Sequence, residues 1–341
     1  MLRLAVVLAL ALLLAVADDA PFEPSLAHTP TTKVTWGQDV QPILERRCVS
    51  CHRRDGLAST SLETYSDAKA MAADIRREIL GTTMPPWPAA RGIADYTNDQ
   101  RLTEIEMTVL VGWTSGGTPL GAPVQRSAPK IHHGADLTLT GSNDSQARDR
   151  YVFSTTDTRE RWISAWRFDA GGENPSVSVT LTIEGTPLGR WVPGDGLVAL
   201  PPNVGVRLPR RARILVDLDR GKSSAQRAGS STMPTIELFW RDRPEQEVTE
   251  RVFPCGTTEL KRALDVIGVR PEASAAGVAI AVSATQPNGA VVPLALIPRY
   301  TPRYRPMLRL RRPVSISAGG RLRIDSTAPD CRATFELAER R

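Results

Sequence analysis

Cys48-Val49-Ser50-Cys51-His52 is the stretch on which the reading of this chain turns. Two cysteines separated by two residues and followed at once by a histidine form the attachment pattern of a c-type haem. The chemistry needs those residue types at that spacing. Each thiol adds across one haem vinyl group, and the imidazole then ligates the iron. The expected cofactor is therefore one covalent haem c, held by Cys48 and Cys51, with His52 as proximal ligand.

On the N-terminal side, Val40, Ile43 and Leu44 fall at helical spacing and run directly into Cys48, so a helix delivers the first cysteine. On the other side, 53–61 reads as a loop around the haem edge, turning at Gly56. A second helix opens at Ser66, places Ala68, Met71, Ala72, Ile75 and Ile79 on one face, and ends at Gly81. Then comes Thr82-Thr83-Met84-Pro85-Pro86-Trp87. A methionine thioether is a common sixth ligand in electron-carrying c-type haem proteins, where it raises the potential, and Met84 is the candidate. Pro85 and Pro86 fix their own backbone angles and restrict the residue before them, while Trp87 can pack on the ring. Met71 and Met107 read as helix core; His28, His132 and His133 are the remaining distal candidates. A third helix starts at Thr103, where Thr103-Glu104-Ile105-Glu106 is a capping box. Ile105, Val109, Leu110 and Trp113 form its expected apolar side, and Gly116-Gly117 ends it.

With those residues in place the segment resembles a known class. Trp36-Gly37-Gln38-Asp39-Val40-Gln41-Pro42-Ile43-Leu44, the CxxCH stretch, Met84-Pro85-Pro86-Trp87, Asn98-Asp99, Leu102-Thr103 and Trp113 are similar to bacterial small cytochrome c domains. Such domains are often fused to copper type II, ascorbate-dependent monooxygenase-like domains. The similarity runs roughly from Val34 to Gly121. It implies haem c bound through Cys48 and Cys51, with His52 proximal and Met84 distal.

The N-terminus reads as a secretory signal peptide. Met1-Leu2-Arg3 is a short positive start, Leu4 to Leu14 is an apolar run, and Ala15-Val16-Ala17 is a small-residue cleavage site. The run is shorter than a bilayer span, which disfavours an uncleaved anchor, and no stable membrane span is expected after cleavage. A periplasmic or secreted location follows, which suits haem c attachment outside the cytoplasm. In such an oxidising compartment Cys255 and Cys331 are a candidate disulfide pair, with their geometry left open. The formal charge is +6. Arginines at 207, 210, 211 and 213, and at 309, 311 and 312, alternate with apolar residues and read as solvated strand faces. An exported chain without aromatic stacking motifs is not expected to bind nucleic acid, although a basic face can steer an acidic redox protein.

From Asp136 the helical period fades. β-branched or alternating runs appear at 177–183, 213–218, 235–240, 278–283, 291–297 and 308–316, punctuated by Gly, Pro and Asn. This reads as one or two jelly-roll-like β-sandwiches. The expected class is multidomain: an all-α cytochrome c-like N-terminal domain followed by an all-β region. The expected division is a signal peptide over 1–17, a flexible lead over 18–33, the haem domain over 34–121 and a linker over 122–135. Sandwiches over 136–242 and 250–341 complete it, with the charged 241–250 stretch as connector.

Arg161-Trp162-Ile163, Trp191-Val192-Pro193-Gly194, Arg213-Ile214-Leu215-Val216 and Ile297-Pro298-Arg299-Tyr300 resemble the copper monooxygenase-like family more weakly. That family's copper ligands are missing. Approximately Val179-Thr180 stands where it has a His-His pair, Asp219 where it has a histidine, and Pro271–Gly277 where it has a Pro-His-Met-His run. The chain has four histidines and none after His133, so copper is not expected. There is no GxSxG elbow and no Gly-rich phosphate loop. The preferred expectation is a non-catalytic, exported electron carrier whose β region is an accessory or binds a redox protein. The alternative is a haem- or copper-dependent, monooxygenase-like oxidoreductase that uses the haem as an electron relay.

Overall fold

The computed structural model describes residues 32–54, 58–122, 134–144, 149–171, 178–219 and 233–340. The signal peptide, most of the flexible lead and the linker, Gly56, and His28, His132 and His133 lie outside the described residues.

A π-helical turn, Trp36–Val40, leads into the helix Gln41–Arg47, which has a proline in its first turn and ends against Cys48. The second expected helix is two pieces, Tyr65–Ala70 and Ala72–Leu80, divided at Met71. The helix Glu104–Ser115 is closed by the capping box: the Thr103 hydroxyl accepts from the Glu106 N–H at 3.1 Å, and the Glu106 carboxylate accepts from the Thr103 N–H at 2.9 Å. Glu106 also accepts from Arg47 at 3.2 Å, so one carboxylate caps one helix and ties it to another. Burial alone would raise the Glu106 carboxyl; the Thr103 N–H and the Arg47 guanidinium outweigh it and hold the group below its usual range. Thr103→Ala is expected to destabilise the protein by about 1 kcal/mol, read from denaturant unfolding. Trp36, Tyr65 and Trp113 pack with ring centroids 5.8–6.4 Å apart. Ile105 does not join the apolar side: it is 77% exposed, whereas Glu106 beside it is turned inward to Arg47.

Three sheets carry the rest. A five-stranded sheet contains Ser142–Asn143, Arg150–Ser154, Arg213–Asp219, Ser178–Ile183 and Thr186–Trp191 in that order. A four-stranded sheet contains Gly256–Glu259, Arg321–Ser326, Ile280–Thr285 and Val291–Ile297. A nine-stranded sheet faces both. One half is built around Thr235–Arg241, Arg161–Asp169 and Val204–Leu208, the other around Gln246–Pro254, Arg332–Arg340, Leu264–Glu272 and Leu308–Ile316. The halves join where Gln246 and Glu247 pair in parallel with Val204 and Gly205. Alternation explains the inward faces: Val179, Leu181 and Ile183, or Ile280, Val282 and Ala284, are buried at every second position. Two apolar cores result. One surrounds Trp166, Phe168 and Ile214, the other Phe335, Val282 and Leu322. Gly189 has a positive φ and lies under Trp166, whose ring would stand 2.9 Å from any Cβ added there. Cys255 and Cys331 are disulfide-bonded across the second core, with a Cα–Cα separation of 5.4 Å.

The β-sandwich-like architecture stands, but the all-α cytochrome c-like N-terminal domain does not. The described chain is mostly strand, and its four α-helices are short. The physical reason lies in residues 81–102. This stretch forms no helix, and at its end only Leu102 is buried in the helical core. Instead Ala89 and Tyr96 are buried in the second β core, and Trp87 packs against it. The helices keep a core cluster of their own around Leu44, Leu110 and Trp113, but Ala89 and Tyr96 are given to the second β core, so the segment is not closed off as a separate all-α domain.

Candidate functional site

The CxxCH stretch continues the helix Gln41–Arg47 as an irregular helical turn. The Cys48 N–H donates to the Leu44 carbonyl at 2.8 Å, and the His52 N–H donates to the Cys48 carbonyl at 2.8 Å. Cys48 and Cys51 are free, half-buried thiols. Burial, and then the neighbouring Cys51, push the Cys48 thiol up to about 12; burial also raises Cys51. Thiol–disulfide exchange depends on a lowered thiol pKa, so this pair is poorly suited to it. The His52 ring nitrogen Nδ1 lies 3.1 Å from the Thr60 carbonyl oxygen. It lies equally 3.1 Å from the Thr60 hydroxyl, which can donate or accept, so Thr60 orients the ring in either tautomer; with the proton on Nδ1, Nε2 carries the lone pair.

Met84 follows the helix Ala72–Leu80. Its N–H donates to the Glu78 carbonyl at 3.4 Å, and its side chain is half-exposed. It lines a cavity of about 260 Å³ with Ile79, Trp87, Arg101, Leu102 and Met107. Ile79 and Leu102 belong to the helical cluster against which Cys48 and Met107 also pack. Trp87 Nε1 is buried there with no hydrogen-bond partner. The residue types that a covalent haem needs are present, two unpaired thiols at the required spacing, an imidazole and a thioether, but the walls of the Met84 cavity include none of Cys48, Cys51 and His52. Met107, read from sequence as core, lines the same cavity as Met84. Among the described residues no group of three or more His, Cys, Asp or Glu side chains is placed to hold a metal ion.

A second polar concentration lies between the two halves of the β region. Arg309, read from sequence as solvent-facing, is 5% exposed, because Leu308, Arg309 and Leu310 sit at the covered start of their strand. Its guanidinium lies 3.6 Å from Asp195 and 3.4 Å from Glu336, and donates to the Arg190 carbonyl at 2.8 Å. Beside it Arg305 spans Asp219 at 3.1 Å and Glu272 at 3.6 Å. Arg190 donates to the hydroxyls of Ser178 and Thr180. Thr180 and Asp219, two positions where the copper-family comparison looked for ligands, are therefore engaged by arginine. Only a charge inside an apolar run, Leu308-Arg309-Leu310, marked this network in the sequence. Burial of Tyr304, and then the nearby Asp195 and Cys51, hold its phenol well above its ordinary value.

No known family profile matches the chain, and no curated protein matches it. Among solved structures it is similar to the major capsid protein P2 of bacteriophage PM2, at 14% identity over 59% of this chain and 97% of that one, with a TM-score of 0.32. It is also similar to a Paenibacillus xanthan lyase, at 12% identity over 65% of this chain and 29% of that one, with a TM-score of 0.18. A third similarity is to β-glucuronidase 2 of Bacteroides uniformis, at 11% identity over 53% of this chain and 22% of that one, with a TM-score of 0.16. The chain spans under a third of the length of these two enzymes. At such TM-scores neither fold nor function transfers.

Proposed function

We propose that this protein is an exported electron carrier with one covalent haem c attached through Cys48 and Cys51. The observation that carries the reading is the CxxCH turn, with both thiols free and His52 held through Nδ1 by Thr60. The resemblance of 34–121 to small cytochrome c sequences supports it. The Cys255–Cys331 disulfide supports an oxidising compartment, periplasmic or extracellular.

Bound haem supplies an iron centre that gains and loses one electron. The residues of the chain do the rest. Cys48 and Cys51 prevent loss of the cofactor. The His52 Nδ1–H donates to Thr60, which fixes the ring and increases the basicity of Nε2. The Met84 thioether would be a ligand to the iron and would raise its potential. The β region serves as accessory or as docking face for a redox protein.

The test is an optical spectrum of protein made in an exporting host with haem-maturation machinery. A covalent, low-spin, methionine-ligated haem is the expected result; absence of covalent haem overturns the proposal. Met84→Ala is expected to abolish the methionine–iron band and lower the midpoint potential, both read on the purified oxidised and reduced protein. A high-spin wild-type spectrum would favour an open-site oxidoreductase instead.

A further inference from the structure

We infer that Tyr96 and Asn98 are positioning residues through which the β region holds Met84 at the haem site; this rests on the haem reading above. Met84 sits in a long connection, 81–103, that contains no helix or regular strand. A segment of that length would sample many conformations unless something else fixed it. Its N-terminal end is anchored by the end of the helix Ala72–Leu80, where the Gly81 N–H donates to the Arg77 carbonyl at 2.9 Å. Thr83 and Met84 also bond to the Glu78 carbonyl of that helix, at 3.0 and 3.4 Å, and the far end is tied to the helices by Arg47, which donates to the Asp99 carbonyl at 3.2 Å; the anchors between come from the β region.

The Ala90 N–H donates to the Leu296 carbonyl at 2.8 Å. The Thr97 N–H donates to the Arg309 carbonyl, and the Arg311 N–H to the Asp95 carbonyl, each at 2.8 Å. Between them Tyr96 pairs with Leu310 as an isolated antiparallel bridge. Its side chain is buried, and its hydroxyl donates to the Leu294 carbonyl at 3.0 Å. Its ring stands 5.8 Å from that of Trp87, three residues after Met84. Asn98 uses its whole amide. Nδ2 donates to Asp195 at 3.1 Å and to the Met307 carbonyl at 2.8 Å, and Oδ1 accepts from the Arg309 N–H at 3.2 Å. Gln100 adds a bond to the Gly194 carbonyl at 2.7 Å. The connection is thus an added edge on the β region, with Trp87 as the link that carries its order to Met84.

Two consequences follow. The β region lines none of the cavity beside Met84 but orders the connection that carries it, so the placing of Met84 would depend on strands far away in sequence. A partner that shifts those strands changes axial ligation.

The test uses the full-length, haem-loaded protein in three variants. Tyr96→Phe removes only the hydroxyl, Asn98→Ala removes the amide, and Ser164→Ala is the control. Ser164 bonds to the Phe239 and Trp240 carbonyls in the other half of the sheet. At a temperature where all are folded, Tyr96→Phe and Asn98→Ala are expected to increase the oxidised fraction lacking methionine ligation, by about fivefold for each buried hydrogen bond lost. Both are expected to lower the midpoint potential and to speed amide exchange at Ala90. Ser164→Ala is expected to lower stability and leave all three readouts unchanged. Methionine ligation and potential that stay at wild-type values in both Tyr96→Phe and Asn98→Ala overturn the inference. So does a wild type whose haem is not ligated by Met84. A wild type without covalent haem overturns the functional reading itself, and the unmutated spectrum alone reports that. If Asn98→Ala does not fold, Tyr96→Phe decides.

Discussion

Cys48→Ser/Cys51→Ser is expected to lose covalent haem completely. The measurement is haem staining after denaturing electrophoresis, where only thioether-linked haem stays with the chain. Each single variant retains one thiol and is expected to keep a reduced amount of haem on one thioether link. The effect is all-or-none because it depends on bond formation, not on packing. The folding cost is small by comparison: both thiols are only half-buried, and serine keeps their shape. An unchanged circular dichroism spectrum of the β region in the double variant separates loss of the cofactor from loss of the fold. Haem that remains attached in the double variant would remove the CxxCH turn from its role.

Arg309→Met is expected to destabilise the folded state by about 3–5 kcal/mol, because it leaves buried acids without their countercharge. Asp195 and Glu336 lie 3.6 and 3.4 Å from the guanidinium and are themselves almost fully buried. Asp195 is already above its ordinary value, first because burial disfavours its charge, with Arg309 and Asn98 opposing that rise. Without Arg309 the Asp195 carboxyl rises further, so between its unfolded and folded values the folded state binds more protons than the unfolded one. Stability of the variant then falls as pH rises through that window, and the deficit against wild type is larger at neutral pH than near pH 5. Denaturant unfolding at the two pH values checks both the size and the sign. A loss below about 1 kcal/mol, as for an exposed ion pair, would show that the pair is not buried in solution.

The same residue shows where sequence reading reaches its limit. Arg309 was expected on a solvated face because it alternates with apolar neighbours, as an exposed strand does. Alternation reports which residues share a face, not what covers that face. Here the start of the strand, Leu308 to Leu310, is covered, with Arg309 enclosed by Asp195, Asn98 and Trp166, while Arg311 and Arg312 remain exposed. Strand positions at 178–183, 213–219, 235–241, 291–297 and 308–316 were legible because β-branched runs bounded by turn residues have local causes. The strands Arg150–Ser154, Arg161–Asp169, Val204–Leu208, Gln246–Pro254 and Arg332–Arg340 were not singled out. Aromatic, charged or short, they are strands because neighbours pair with them.

The capping box at Thr103 and the helix into Cys48 were also local, and both form. The separate all-α domain was not a local property. It required 81–102 to fold back on the helices, and the buried area offered by the second β core to Ala89 and Tyr96 won instead.

Two thiols and an imidazole at fixed spacing lie within one helical turn, and residues that close together are juxtaposed by the backbone itself. That much of the candidate site was determined by the chain alone. The path of the connection after Met84 was decided by strands far away in sequence, because a connection without regular structure takes its shape from whatever satisfies its backbone and buries its side chains. In this fold those partners are Leu294, Leu296, Arg309 and Asp195.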